Sequence, residues 1–186
     1  MKKFIISIIY NFDIDIIQKV CESKEQAVHT MNQMLAEEVQ TVMRENQYAP
    51  VVVKHDECNV TLMYITEDEL KALKASGIEH AERAADAAFY RIFEIEVNSE
   101  PAYALVSVCD RNIALSLHKS KKEAWGEMQK ELKATSASYK NLLEDGGMCN
   151  EDAELEGEDF GISNTAAWSN TRTKDDWSIF EIPFSL

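Results

Sequence analysis

The chain has 186 residues, 45% of them hydrophobic and 9% aromatic, which is enough for one medium domain or two small ones with packed cores. Its 33 acidic residues outnumber its 19 Lys and Arg residues, so the formal net charge is −14. This charge argues against direct binding to DNA, RNA or an anionic membrane, because phosphate binding requires clustered cations. An acidic surface favours a basic partner; the alternative is that the charge serves only solubility.

The N-terminus combines Met1-Lys2-Lys3 with an apolar run, but Asn11 and Asp13 interrupt the run and no small-residue cleavage site follows. This pattern predicts a buried first strand rather than a signal peptide. No stretch has the length of apolar sequence that a membrane span requires. We therefore expect a cytoplasmic protein with reduced thiols, because its cysteines are widely spaced and form no C-x-x-C pair. They are Cys21, Cys58, Cys109 and Cys149.

Two β-prone segments, residues 4–10 and 14–20, are separated by a short polar gap, which predicts a hairpin. Ser23 is followed three residues later by Gln26, a capping box that predicts a helix start. Apolar residues then recur at spacings of three and four, so one stripe of the helix should pack on the hairpin. The helix should end before Pro50, because the residue before proline avoids the α region.

Residues 51–53 and 60–64 should form a second strand pair around a polar turn. The turn contains His55-Asp56-Glu57-Cys58, but four contiguous ligands on a tight turn cannot all face one metal ion. A second capping box, formed by Thr66 and Glu69, predicts a short helix that stops near Gly77. Residues 79–88 should add a turn or two of helix before a strand at 89–97.

The last of these segments, Tyr90-Arg91-Ile92-Phe93-Glu94-Ile95, returns as Trp177-Ser178-Ile179-Phe180-Glu181-Ile182. The capping box returns as well, because Ser120 to Ala124 matches Ser23 to Ala27 at a distance of 97 positions. The apolar stripe repeats at the same distance as far as Tyr139. The chain is therefore predicted to consist of two copies of one structural unit.

The predicted fold class is α+β, a tandem duplication of a ββαββ-like unit whose antiparallel sheets are each covered by one long helix. The first unit comprises residues 1–98 and the second residues 99–186. In the second unit we expect a mobile acidic loop at residues 144–159, a hairpin at 160–169 and a polar turn through Asp175 and Asp176. Whether the two sheets merge stays open at this level.

No motif of a known enzyme class is present: there is no G-x-S-x-G, H-E-x-x-H, Walker loop, G-x-G-x-x-G or C-x-x-C. The four histidines are scattered along the chain. Carboxylate pairs such as Asp175 and Asp176 could hold Mg²⁺ in a nuclease, but turns and solvated faces are the more common reason for such pairs. We therefore predict no enzymatic activity, no cofactor and no metal.

Three segments carry a resemblance: residues 7–13, 36–39 and 90–95 look like parts of small acidic proteins carried by phages and mobile elements of anaerobic bacteria. Some proteins of that kind are anti-CRISPR inhibitors of Cas9. The resemblance implies an anti-CRISPR role and carries no functional residue across. It agrees with the charge, since rows of carboxylates can imitate phosphates and occupy a basic nucleic-acid channel.

The leading hypothesis is a non-enzymatic inhibitor that binds a basic nucleic-acid-binding protein, most concretely Cas9 or its guide-RNA complex, and blocks DNA targeting. The alternative is a mobile-element accessory domain that self-associates as a homodimer and has no nucleic-acid-related target. Neither hypothesis involves direct binding to nucleic acid or a membrane. The predicted partner-binding residues are Glu151, Asp152, Glu154, Glu156, Glu158 and Asp159, with Glu37 and Glu38 as a second patch.

Overall fold

The computed structural model describes residues 1–10, 16–45, 47–76, 86–98, 102–109, 112–144, 154–170 and 174–183. The chain divides into two compact units, Met1–Glu96 and Val97–Leu186. Each unit contains one antiparallel sheet packed against helices, and no strand pairing in these ranges joins the two sheets. The predicted α+β fold with two similar units is thus confirmed. No helix in the described ranges is long and apolar enough to cross a membrane.

Unit 1 has a five-stranded sheet in the order β2-β1-β5-β4-β3. Its last strand is therefore central, hydrogen-bonded to β1 on one side and to β4 on the other. Its elements are β1 (Lys2–Tyr10), β2 (Ile16–Cys21), α1 (Lys24–Glu45), β3 (Ala49–Lys54), β4 (Asn59–Ile65), α2 (Glu67–Ser76) and β5 (Asp86–Glu96).

Unit 2 has a six-stranded sheet in the order β7-β6-β11-β10-β9-β8. Apart from the added β8, this is the order of unit 1, and again the last strand of the unit lies in the interior of the sheet. Its elements are β6 (Ala102–Cys109), β7 (Asn112–His118), α3 (Lys121–Thr135), α4 (Ala137–Glu144), β8 (Leu155–Glu156), β9 (Phe160–Ile162), β10 (Ala166–Asn170) and β11 (Lys174–Ile182).

The capping boxes form as the sequence predicts. The Ser23 hydroxyl accepts from the Gln26 N–H at 3.1 Å, and the Gln26 side chain accepts from the Glu22 N–H at 3.0 Å. At the start of α3 the Ser120 hydroxyl accepts from the Glu123 N–H at 3.2 Å. The box that begins α2 is formed too. These bonds satisfy donors that the first turn of each helix leaves free.

The duplication extends to the two cores. In α1 the buried residues are Ala27, Met31, Leu35 and Val42, and 97 positions later the buried residues of α3 and α4 include Ala124, Met128, Leu132 and Tyr139. Each set packs on the central strands of its own sheet, where Tyr90 and Trp177 occupy equivalent positions. The predicted helical stripes are confirmed.

The helical layer of unit 2 differs from the single long helix that the sequence predicts. At Ser136 the backbone is extended, with φ −99° and ψ 117°, and divides the layer into α3 and α4. The Ser136 N–H donates to the Leu132 carbonyl at 2.8 Å, while its hydroxyl accepts from the Tyr139 N–H at 3.1 Å. A serine side chain can thus replace helical backbone bonds, which Val39 at the equivalent position of α1 cannot do.

Two further boundaries differ from prediction. Asp86 to Ala88, predicted to be helical, belong to β5 because their backbone pairs with β4; residues 79–85 lie outside the described ranges. Strand β3 begins at Ala49 and includes Pro50, earlier than the predicted start at residue 51, whereas α1 ends at Glu45, before Pro50 as predicted. Proline is tolerated there because β3 is an edge strand.

The buried stripe of unit 2 can be tested with a matched pair of substitutions. Leu132→Ala, at a position that is 0% exposed, should lower the free energy of unfolding by about 2–5 kcal/mol, because it leaves a cavity. Leu142→Ala, at a helical position 36% exposed, should cost much less. Urea unfolding followed by circular dichroism measures both. Equal losses would contradict the placement of the stripe.

Candidate functional site

The acidic segment of unit 2 forms a hairpin in its described part. Leu155 pairs with Ile162 and Glu156 pairs with Gly161. The Gly157 N–H donates to the Phe160 carbonyl at 2.8 Å, so Glu158 and Asp159 occupy the two-residue turn. We call residues 154–162 the acidic hairpin.

The predicted mobile loop over residues 144–159 is therefore wrong at both ends. Residue 144 ends α4, and residues 154–159 belong to the acidic hairpin. Residues 145–153 lie outside the described ranges, and with them the predicted partner-binding residues Glu151 and Asp152.

Three carboxylates of the acidic hairpin are exposed to solvent: those of Glu154, Glu156 and Glu158. Leu155 between them is half-buried and packs against the core of unit 2. Because successive side chains of a strand point to opposite faces, Glu154 and Glu156 share the side turned away from the core. The backbone thus holds an array of negative charges at the sheet edge.

Asp159 has a structural role that the sequence did not suggest. Its side chain is half-buried and accepts a hydrogen bond from the Ser136 hydroxyl at 3.2 Å. Its backbone carbonyl accepts from the Asn170 N–H at 2.9 Å. Asp159 therefore ties the tip of the acidic hairpin to the break between α3 and α4 and to the end of β10.

The acidic hairpin is also anchored by its apolar side chains. Phe160 and Ile162 are each 3% exposed, and the Phe160 ring lies 5.0 Å from that of Tyr139. Gly161 lies opposite Trp168, whose indole occupies the space above it: a Cβ at Gly161 would be 2.2 Å from Trp168 Nε1. Glycine is thus required by the close approach of the indole.

Two glycine substitutions should have opposite effects on stability. Gly161→Ala should lower the free energy of unfolding by about 1–3 kcal/mol, because the indole must move. Gly126→Ala, on an open face of α3, should raise it by about 0.5–1 kcal/mol, since alanine favours the helix. Thermal and urea unfolding measure both variants. A neutral Gly161→Ala would contradict the packing of Trp168 on the acidic hairpin.

The second predicted patch lies on α1 in unit 1, and its two members differ. Glu37 is exposed, whereas Glu38 is half-buried and accepts a hydrogen bond from the Tyr64 hydroxyl at 3.0 Å. Burial, together with the nearby Glu38 carboxylate, raises the pKa of Tyr64 far above its usual value, so the phenol stays protonated and donates. Glu37 alone is thus available to a partner without breaking a core contact.

Asp175 and Asp176 do not form the predicted polar turn. Both belong to β11, opposite Ser169 and Trp168, and they are only 5% and 3% exposed. Their polarity suggested a turn, but the pairing of β10 and β11 continues through them. Within the described ranges no three His, Cys, Asp or Glu residues are grouped so as to hold a metal ion.

These buried aspartates influence Cys109. Burial of the thiol, with Asp175 and Glu131 nearby, raises the pKa of Cys109 to about 12. The neighbouring Glu131 carboxylate accepts a hydrogen bond from the Trp177 indole at 2.6 Å. Because the thiolate is the reactive form of cysteine, this raised pKa disfavours reaction of Cys109 near neutral pH.

The turn between β3 and β4 is confirmed. The Asp56 carboxylate accepts from the Cys58 N–H at 2.6 Å, and the His55 and Asp56 N–H groups both donate to the Asn59 carbonyl. The His55 ring bonds to the Thr61 hydroxyl at 3.0 Å. His55, Asp56 and Cys58 thus serve the turn, while the Glu57 carboxylate pairs with Lys24 of α1. The cysteines at 21, 58 and 109 are not in disulfides.

Cys109 should contribute to stability in a pH-dependent way. Its folded-state pKa of about 12 exceeds the ordinary value of 9.0, so the folded protein holds this proton more tightly than the unfolded chain. The contribution is complete below pH 9.0 and is lost as the pH rises towards 12. Cys109→Ala should therefore lose less stability than the wild type between about pH 8 and about pH 11.

Urea unfolding across this pH range checks the expectation, and Cys58→Ala in the half-buried turn is the matched control. The control should retain most of the alkaline loss of stability. A Cys109→Ala protein with the same pH dependence as the wild type would show that this thiol is not the group responsible.

Sequence reasoning missed the acidic hairpin and the role of Ser136. The two turn residues, Glu158 and Asp159, include neither glycine nor asparagine, so the usual signal of a two-residue hairpin is absent from the sequence. The density of acidic residues favoured the prediction of a loop instead.

Comparisons of the chain with protein-family models, curated proteins and solved structures find no match.

Proposed function

We propose that the protein is a non-enzymatic binding protein whose acidic hairpin docks on the basic surface of a nucleic-acid-binding protein. The observation that carries this proposal is the anchored array of exposed carboxylates at Glu154, Glu156 and Glu158, in a chain with a net charge of −14. Carboxylates at strand spacing can occupy sites that a basic groove otherwise offers to phosphates. Complementary fields also speed the encounter of the partners.

The anchoring of the acidic hairpin favours binding. Its turn is held by the Gly157 to Phe160 hydrogen bond and by Asp159, so the backbone is ordered before a partner arrives. A preorganised segment loses less conformational entropy on binding than a flexible loop. The carboxylates themselves remain exposed, so their attraction to a partner should weaken as salt increases.

The most concrete partner is Cas9, alone or with its guide RNA, and the corresponding role is that of an anti-CRISPR that blocks DNA targeting. Two arguments support it: the resemblance of residues 7–13, 36–39 and 90–95 to small acidic phage and mobile-element proteins, and the positively charged channel in which Cas9 holds its nucleic acids. An acidic hairpin inserted in that channel would compete with DNA. Of the second predicted patch, Glu37 on α1 is the member available to the partner.

The triple substitution Glu154→Gln, Glu156→Gln and Glu158→Gln tests the proposal. We expect it to weaken binding to the Cas9–guide complex at low salt at least about tenfold, equivalent to ~1.4 kcal/mol, because three exposed charges are lost. Binding is measured by surface capture at two salt concentrations, and function by Cas9 cleavage of a target plasmid. Wild-type protein should block cleavage only when it is added before the target DNA.

The matched control removes three exposed carboxylates elsewhere: Glu45→Gln, Glu67→Gln and Glu96→Gln. Both triple variants have the same net charge, so a specific site predicts a loss only in the acidic-hairpin variant. Equal losses would show that total charge, and not the acidic hairpin, drives binding. Absence of binding to Cas9 and to every basic nucleic-acid-binding protein in a bacterial lysate at low salt would overturn the proposal.

A further inference from the structure

The edge strand β7 of unit 2 lacks the features that usually keep sheet edges apart. Among the described residues it pairs only with β6, so its outer backbone donors and acceptors face away from the sheet. Its seven residues, Asn-Ile-Ala-Leu-Ser-Leu-His, include no Asp, Glu, Lys, Arg or Pro. An uncharged edge of this kind is a template for pairing with another strand.

The other three edges of the described sheets are protected. Strand β3 carries Pro50 and Lys54, and β8 has only two residues, one of them Glu156. Strand β2 is the counterpart of β7 in unit 1 and carries the exposed Lys19. Lys19 lies opposite Ile6 and Ser116 lies opposite Leu105, so serine replaces lysine at the equivalent position of β7.

The side chains of β7 alternate cleanly. Ile113, Leu115 and Leu117 lie on one face, opposite the buried residues Val108, Val106 and Ala104 of β6. They extend that apolar face to the edge of the sheet, where Leu117 is 38% exposed. The opposite face of β7 carries Asn112, Ala114, Ser116 and His118.

We propose that two copies of the protein associate through β7, which pairs antiparallel with β7 of the second copy about a two-fold axis at Leu115. This register aligns all seven residues. Ile113 lies opposite Leu117 of the other copy and Leu115 opposite its own equivalent, so apolar side chains meet on one face. On the other face Ala114 lies opposite Ser116 and Asn112 opposite His118.

Charge argues for a second copy at this place. Two molecules with a net charge of −14 repel each other, so a contact between them must lie where carboxylates are absent. Strand β7 meets that condition over its whole length. Burial of its apolar side chains, Ile113, Leu115 and Leu117, would favour the contact. A two-fold interface also requires a self-complementary surface, which the alternation of β7 provides.

The test places lysines at the two exposed positions of the polar face, Ala114→Lys with Ser116→Lys. In the dimer the lysine introduced at position 114 would lie opposite the lysine introduced at position 116 of the second copy, and like charges directly opposite are destabilising. Sedimentation equilibrium should show a dimer for the wild type. The dissociation constant of the double-variant dimer should be at least about tenfold higher than that of the wild type.

The matched control is Gln33→Lys with Gln40→Lys, two exposed positions on α1 that add the same charge. It should dimerise as well as the wild type, or slightly better, because the net charge is less negative. The wild-type dimer should persist at high salt, in contrast to binding through the acidic hairpin. A wild-type protein that stays monomeric at the highest attainable concentration overturns the proposal.

Amide hydrogen exchange of the wild type identifies the interface without relying on any variant. Exchange within residues 112–118 should slow as the protein concentration rises through the dimer transition. A dimer whose formation leaves these amides unchanged would use another surface and would overturn the assignment to β7. Neither result depends on whether the acidic hairpin binds Cas9.

Discussion

The structure depends on the central position of the last strand in each unit. Strand β5 is hydrogen-bonded to both β1 and β4, and β11 to both β6 and β10. Tyr90 and Trp177 on these strands face the helices and are each 1% exposed. Neither sheet can be completed, and neither core closed, until the strand made last is inserted between strands made earlier. We expect such non-local pairing to slow folding, because strands distant along the chain must meet before their contacts stabilise the sheet.

This constraint explains why the repeated hexapeptides are the clearest trace of the duplication. Ile92 and Ile179 each lie at the centre of a sheet, opposite Ile6 and Leu105 respectively. A side chain in that position touches the helix layer and neighbouring strands at once, so few substitutions are tolerated. Strands at the edge are free of this restriction, and they are the parts in which the two units differ.

Unit 2 differs from unit 1 in a few polar side chains on the shared scaffold. Where α1 has Met34 and Val39, the helical layer of unit 2 has Glu131 and Ser136. Glu131 accepts the Trp177 indole hydrogen bond, and Ser136 ends α3, begins α4 and binds Asp159. The acidic hairpin is thus attached to the helical layer through Ser136, where unit 1 has Val39. The same unit carries a charge-free edge at β7, so one end of its sheet repels negative partners and the other does not.

The sequence by itself determined the features that depend on near neighbours along the chain. Capping boxes join residues three or four positions apart, and apolar spacing sets which face of a helix or strand is buried. The helix starts at Ser23, Thr66 and Ser120, the repeated stripes and the turn at Asp56 could therefore be predicted. The residues proposed to bind a partner could be predicted only as members of acidic segments, because the sequence pattern of those segments does not show which side chains are exposed.

Only the tertiary structure decided which polar residues are buried and which are exposed to solvent. Asp175 and Asp176 have the composition of a turn, yet pairing with β10 places them inside β11. Residues 154–159 have the composition of a loop, yet Phe160 and the Trp168 indole hold them in a hairpin. Asp159 and Glu38 are acidic like their neighbours but are committed to Ser136 and Tyr64. Asp159 and Glu38 depend on partners 23 and 26 residues away, and the first two outcomes depend on pairing with a neighbouring strand. Local composition and charge specify neither kind of contact.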